Sequence, residues 1–317
     1  MPSTNKIRFV ILFTSLIISY YITLRVDAPN FDEKYNRHMS IIHNTIEHPY
    51  KYRLLNPFIT HIYYTVFKIV IPEKSSFLLA YTIQNFLVCL FLFFAAYKYL
   101  FTWFDETACI AGLLLFALII PLTLTGWDTL GDLTTAGLMA LGFYFINSGK
   151  ENLLFPLLII GAFNELQIIL IILFYFFGNK DGFKSKSVWL RVILLTVTFI
   201  IVYVFIFILR AGVAGTDINT WSGRQDMIFN IHNPNFILLW AILIIPLAYF
   251  AFKDFSSKPK FLKTNILTVI PAFYVIAFFI LARVREIDKA LTIFLILIPL
   301  ALFSLFPSRL KTNNSQT

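Results

Sequence analysis

Polar positions are sparse along this chain, and the runs between them are long. Apolar stretches of about 17 to 24 residues recur at 7–24, 77–100, 107–125, 131–147, 188–209, 236–252, 265–282 and 289–306, and a helix of that length crosses roughly 30 Å of hydrocarbon. Backbone groups in lipid must pair within their own segment, and nothing alternates in the manner of a barrel strand, so the spanning elements are helices. The pattern predicts an all-α, polytopic transmembrane bundle in which residues 1–317 form a single integral membrane domain.

Two stretches depart from simple crossings. In 54–71, Leu54, Leu55, Phe58, Ile59, Ile62, Tyr63, Val66, Phe67 and Val70 recur at helical spacing, while Asn56, Thr60, His61, Tyr64 and Lys68 share the other face. So two-faced a helix suits the membrane interface, and it is placed there within an outer loop spanning 25–76. The second stretch, 152–178, carries Asn164-Glu165-Leu166-Gln167 at its centre. One continuous helix would bury Glu165 near mid-bilayer and put Lys180, Lys184 and Lys186 outside. Two short helices, 153–163 and 166–178, joined at a polar tip near the outer surface, remove both problems and bring the count to about ten spans.

Charge then orients the chain. With both termini cytoplasmic, Lys150, Lys180, Lys184, Lys186, Lys253, Lys258, Lys260 and Lys263 lie inside, as the positive-inside rule prefers. Residues 308–317 form a flexible cytoplasmic tail. Of the 17 acids, only Asp105, Glu106, Glu151, Asp181 and Asp254 fall inside, so the rest gather on the outer face together with all five histidines. Mixed charge of this kind marks a polar reaction site rather than an anchor.

Composition adds little beyond this. The chain is 58% hydrophobic and 14% charged, with 36 Phe, far from the usage of soluble domains. Its formal charge of +9 comes from lysines in short loops beside spans, which argues against nucleic acid as a partner and for the lipid bilayer. The run Ile7 to Leu24 lacks a small-residue cleavage pattern before Asp27 and is read as an uncleaved first span. Cys89 and Cys109 both fall in apolar runs and are read as packing residues.

Several short constellations could carry chemistry. Asp32-Glu33 lies just past the first span, where partial desolvation makes a carboxylate a better general base; a solvated loop pair is the plain alternative. His48-Pro49-Tyr50-Lys51-Tyr52-Arg53 offers a bidentate fork in Arg53, a point charge in Lys51 and an interfacial ring in Tyr52, or else a juxtamembrane anchor. In Trp127-Asp128-Thr129-Leu130-Gly131-Asp132, the second acid suits a helix cap, whereas Asp128 has no such simple role. Glu165, ionisable inside an apolar stretch, is functional by default. Arg283-Val284-Arg285-Glu286-Ile287-Asp288 adds two arginines and two acids between the last two spans, or else is an ordinary charged turn. His38, His43 and His48 recur every five residues, off any common helical face, so no structural metal is expected.

In their order, these features resemble the GT-C superfamily of membrane glycosyltransferases: an acidic pair after the first span, a first outer loop with an interfacial helix, a span opening on Asp, and a short-helix hairpin with a polar tip. The Pro-Tyr-Lys-Tyr-Arg stretch, the Asn-Glu tip and the late Arg/Glu turn resemble most the small bacterial members that lack a soluble domain. The resemblance implies transfer of a sugar from a polyprenyl-phosphate donor to a glycan, lipid or protein acceptor on the outer face of a bacterial inner membrane. It implies Asp32 or Glu33 as base and Glu165 as a catalytic residue at the tip. Lys51, Tyr52, Arg53, Asp128, Asp132, Asn164, Arg283, Arg285 and Glu286 would bind substrate. No cofactor is expected, with a divalent cation left open. A transporter or flippase of a lipid-linked precursor, or a non-catalytic membrane subunit, are the alternatives.

Overall fold

Long apolar runs with few interior breakers build helices, and the computed structural model, which describes residues 4–46, 50–124, 129–179, 184–210, 223–281 and 286–307, holds no strand among them. In chain order the helices are α1 (Thr4–Ile22), α2 (Phe31–Ile42), α3 (Leu55–Phe67), α4 (Glu73–Leu100), α5 (Glu106–Thr123), α6 (Thr129–Asn147), α7 (Leu154–Asn164), α8 (Leu170–Gly178), α9 (Lys186–Leu209), α10 (Gly223–His232), α11 (Pro234–Phe252), α12 (Lys260–Leu267), α13 (Phe278–Leu281) and α14 (Leu291–Leu305). Eight helical segments among the described residues are long and apolar enough to cross a membrane, and two shorter apolar ones, Glu151–Asn164 and Leu166–Gly178, complete the set.

At the centre stand α6 and α14. Every residue from Leu291 to Leu302 is buried, as befits a helix that is apolar all round. On α6 the small residues let neighbours approach closely, the usual device where lipid removes the hydrophobic drive between helices. A Cβ at Gly137 would lie 2.6 Å from the Phe91 ring and 3.3 Å from the Leu92 Cα. By contrast α9 and α11 leave most of their apolar surface uncovered, with Leu190, Ile201, Phe205, Leu238, Ile242 and Ile245 all exposed.

The stretch 152–178 is a hairpin of short helices. Helix α7 stops where Glu165 takes an extended conformation (φ −163°, ψ 146°), and a 3₁₀ turn, Leu166–Ile169, leads into α8. That the chain reverses follows from three contacts. A Cβ on Gly161 would touch Ile168, and one on Gly142 would meet both Ile171 of α8 and Leu157 of α7. The Tyr175 hydroxyl also donates to Glu151 Oε2 at 3.1 Å, and Glu151 pairs with Arg191, so the hairpin's two ends meet again at its base. About 12 Å along α6 from Thr135, Phe143 packs against Tyr99, Phe174 and Phe261 with ring centroids 4.7–5.4 Å apart.

The segment between the first two long helices is more structured than a loop. A π-helical turn, Thr23–Asp27, extends α1, and α2 follows at once. Helix α3 buries Asn56, Thr60 and Tyr64 and exposes Phe58, Ile62 and Val66, so its polar face meets protein and its apolar face looks outward. At 13 residues it is about 20 Å long, too short to cross 30 Å of hydrocarbon. Arg210, just past α9, fastens this segment: Nε donates to the Lys51 carbonyl at 3.1 Å and Nη2 to the Ile41 carbonyl at 2.5 Å. Between α9 and α11 stands α10, which Asn230 ties to the Phe279 carbonyl at 2.7 Å.

Candidate functional site

The helix break at Glu165 exposes backbone and polar side chains that must be satisfied inside the bundle, and a connected set of groups does so. Arg53 Nη2 lies 2.5 Å from Glu165 Oε1, and Thr135 Oγ1 donates to Glu165 Oε2 at 3.0 Å. The neighbouring Asn164 donates to the Gly131 carbonyl at 2.9 Å and to Thr135 Oγ1 at 2.8 Å. Its own Oδ1 accepts from Asn56 Nδ2 at 2.8 Å, and Asn56 Oδ1 accepts from Gln84 Nε2 at 3.2 Å. The Leu54 amide, next to Arg53, donates to the Phe163 carbonyl at 2.8 Å. Gln167 donates to the Tyr274 hydroxyl at 3.0 Å and to the Lys289 carbonyl at 2.8 Å. The first segment, α4, α6, the hairpin and the start of the last long helix are thereby bound into one polar layer.

A second buried group stands beside it. The π-helical turn directs Asp27 inward, where it is 1% exposed, pairs with Lys34 of α2 and accepts from Asn85 Nδ2 at 2.7 Å. The Lys34 ammonium sits 3.9 Å from the centre of the Tyr81 ring. His38 Nδ1 and the Tyr81 hydroxyl are 3.0 Å apart, and His38 Nε2 and His61 Nδ1 are 3.1 Å apart. Burial, then the neighbouring His61 and Lys34, lower the His38 pKa to about 3; burial and His43 lower that of His61. Both rings are therefore neutral near pH 7.

Between the two groups lies a cavity of about 40 Å³ lined by Lys34, Arg37, His38, Tyr50, Arg53 and Tyr81, among others. That is room for about three waters. The Arg37 guanidinium lies 3.4 Å from the centre of the Tyr50 ring and that of Arg53 5.3 Å. Arg37 Nη2 is buried, and no hydrogen-bond partner takes it among the described residues. Asp27 and Glu165 pair with Lys34 and Arg53 and do not line the cavity. Three cations, two of them paired in this way, face the small hollow, an arrangement suited to an anion.

Of the residues expected from sequence, Arg53, Asn164 and Glu165 come together as described. Asp132, buried in the first turn of α6, and Glu286, paired with Lys289, belong to an adjoining charged group: Lys289 interacts electrostatically with Asp132, Glu286 and Arg53. Lys51 and Tyr52 are buried, but the Tyr52 ring packs against Tyr203 and Phe207 of α9, and neither residue lines the cavity. Asp32 and Glu33 stand exposed in the first turn of α2, where acids suit the helix dipole. Asp128, Arg283 and Arg285 lie outside the described residues.

Sequence pattern does not mark Asp27, Lys34, Arg37, Asn85 or Thr135 as site residues, and it marks His38 only as one of three histidines off any common helical face. A signal existed for the first: Asp27 ends an apolar run, where an acid has to find a partner. Among the described residues no three His, Cys, Asp or Glu side chains gather as a metal-ligand set. Known protein families, curated proteins and solved structures offer no match to this chain.

Proposed function

We propose that this protein is a membrane glycosyltransferase that moves a sugar from a polyprenyl-phosphate donor to an acceptor at the outer face of a bacterial inner membrane. The observation that carries the reading is the cavity faced by Lys34, Arg37 and Arg53, two of which also pair with carboxylates that do not line it. Such a hollow suits a phosphate that gains charge as its sugar leaves. In this reading the site end of the bundle is the outer side, both termini are cytoplasmic, α3 lies in the interface, and the hairpin brings the count to ten spans.

The chemistry is an inverting displacement. The acceptor oxygen bonds to the anomeric carbon, the bond from that carbon to the phosphate oxygen breaks, and its electron pair stays on the phosphate. A carboxylate takes the acceptor proton. Phosphate is a weakly basic leaving group, so no general acid is needed. Asp32, Glu33 and Glu165 are the candidates for the base, while Asp27, buried and paired with Lys34, holds that cation in place.

The test is transfer from radiolabelled polyprenyl-phosphate sugars in reconstituted vesicles, comparing wild type with Asp27→Asn, Asp32→Asn, Glu33→Gln, Arg37→Ala, Arg53→Ala and Glu165→Gln. Loss in the arginine variants and in one carboxylate variant is expected. Undiminished transfer in all six would remove the site.

A second reading draws on the helix break at Glu165 between two half-length helices, a feature of transporters that bind at broken helices. Passage of a lipid-linked precursor across the vesicle membrane without any sugar transfer would favour it.

A further inference from the structure

Three side chains stand in a hydrogen-bonded row that starts at the cationic cavity. Tyr81 of α4 and His38 of α2 both line that cavity. The Tyr81 hydroxyl lies 3.0 Å from His38 Nδ1, and His38 Nε2 lies 3.1 Å from Nδ1 of His61 on α3. His38 is 1% exposed, with Phe77 and Tyr64 edge-on to its ring, so both of its ring nitrogens are taken up by the row. His61 is partly exposed. Its Nε2 has no hydrogen-bond partner among the described residues, yet it is not one of their sealed polar atoms. The row therefore ends at an atom open to the surface, and the sugar displacement itself uses none of the three groups.

We propose that Tyr81, His38 and His61 form a proton relay joining the cavity to the surface of the protein. Which reaction it serves rests on the transferase reading, in which each sugar moved releases one acceptor proton that the base must discharge. A neutral imidazole carries one N–H and one lone pair. In one arrangement of tautomers Tyr81 O–H donates to His38 Nδ1, His38 Nε2–H donates to His61 Nδ1, and His61 Nε2–H faces outward. A proton arriving from cavity water adds to the Tyr81 oxygen, and the hydroxyl's own proton passes to His38 Nδ1. The Nε2 proton of His38 passes to His61 Nδ1, and the Nε2 proton of His61 passes to water outside. One proton enters and one leaves, and each imidazole ends neutral with its N–H moved from Nε2 to Nδ1. Both rings must regain the first tautomer before the next passage. A buried imidazolium at His38 would be poorly solvated and repelled by Lys34, so the protons move together and none rests on the ring.

The experiment uses the full chain with isotopically labelled histidine nitrogens, in detergent micelles for NMR and in vesicles for transfer from radiolabelled polyprenyl-phosphate sugars. His61→Asn keeps a hydrogen-bonding atom near the Nδ1 position but has no second nitrogen to pass a proton on. Exchange of the His38 ring proton with water should slow about tenfold in this variant, and kcat for transfer should fall about tenfold with the donor KM unchanged. Its solvent deuterium isotope effect should grow, and added imidazole should restore the rate, neither of which a merely structural loss would produce. Exchange at His38 indifferent to His61→Asn would overturn the proposal. So would an undiminished kcat in that variant, or a loss that imidazole fails to restore; both leave the transferase reading standing. Slowed exchange in a protein whose wild type transfers no sugar upholds the relay and removes the transferase reading.

Discussion

Arg53 and Glu165, 112 positions apart in the chain, meet at 2.5 Å with their side chains 13% and 7% exposed. Taking one partner from a buried ion pair strands the other's charge and costs about 3–5 kcal/mol, whereas replacing both with apolar groups of similar volume is often neutral. Arg53→Ala and Glu165→Ala should each lower stability by about that amount in detergent, measured by thermal unfolding. Arg53→Met with Glu165→Leu should recover much of it yet show no transfer. If the double variant were as unstable as the singles, the pair would be holding the hairpin through more than charge balance.

Carboxylates in the first segment should separate by burial. Asp27→Ala removes the partner of Lys34 and of Asn85 and should cost about 3–5 kcal/mol. Asp32→Ala and Glu33→Ala alter exposed positions and should stay within about 0.5 kcal/mol. Chemical denaturation midpoints compare the three directly, and equal shifts would contradict the environments described.

Acid should destabilise the protein through His38. Its neutral ring is held by burial next to His61 and Lys34, with its pKa lowered to about 3, while Tyr81 and Tyr64 pack on its other sides. The unfolded chain binds a proton below about pH 6.5 and the folded one does not, so this contribution is complete above pH 6.5 and shrinks as pH falls toward 3. The slope reaches at most about 1.4 kcal/mol per pH unit. His38→Gln should flatten stability against pH over this window. An unchanged profile would assign the acid sensitivity to other groups.

Gly137→Ala should be felt although it adds a single methyl. The new Cβ would meet the Phe91 ring at 2.6 Å and the Leu92 backbone at 3.3 Å, so α4 and α6 must separate, at about 1–3 kcal/mol. Gly149→Ala makes a contrasting control: nothing lies within 4 Å, and its φ of +69° leaves only local backbone strain. Thermal midpoints of the two variants report whether helix approach or backbone conformation dominates.

Much of the fold is legible in the sequence because lipid imposes a simple rule: an apolar run of sufficient length becomes a helix. The hairpin is legible for a related reason, since Asn164-Glu165-Leu166-Gln167 cannot continue an apolar helix without partners. What pattern alone conceals is which polar side chains find one another. Periodicity fixes the polar face of α3 but not that it turns toward protein and seats Asn56 on Asn164. Asp32 and Glu33 draw the eye as an adjacent pair. The buried acid is instead Asp27, turned inward by a π-helical turn that no residue between Thr23 and Asp27 announces. Arg37 and Lys34 become neighbours of Arg53 only through the long-range placement of α2.

The rings of Tyr99, Phe174 and Phe261 close around Phe143, about 12 Å along α6 from Thr135. Under the transferase proposal, in which the polar cavity faces the outer side, this aromatic cluster would act as a plug: it leaves water no file through that part of the bundle, so a polar chamber could sit among spanning helices without becoming an ion leak.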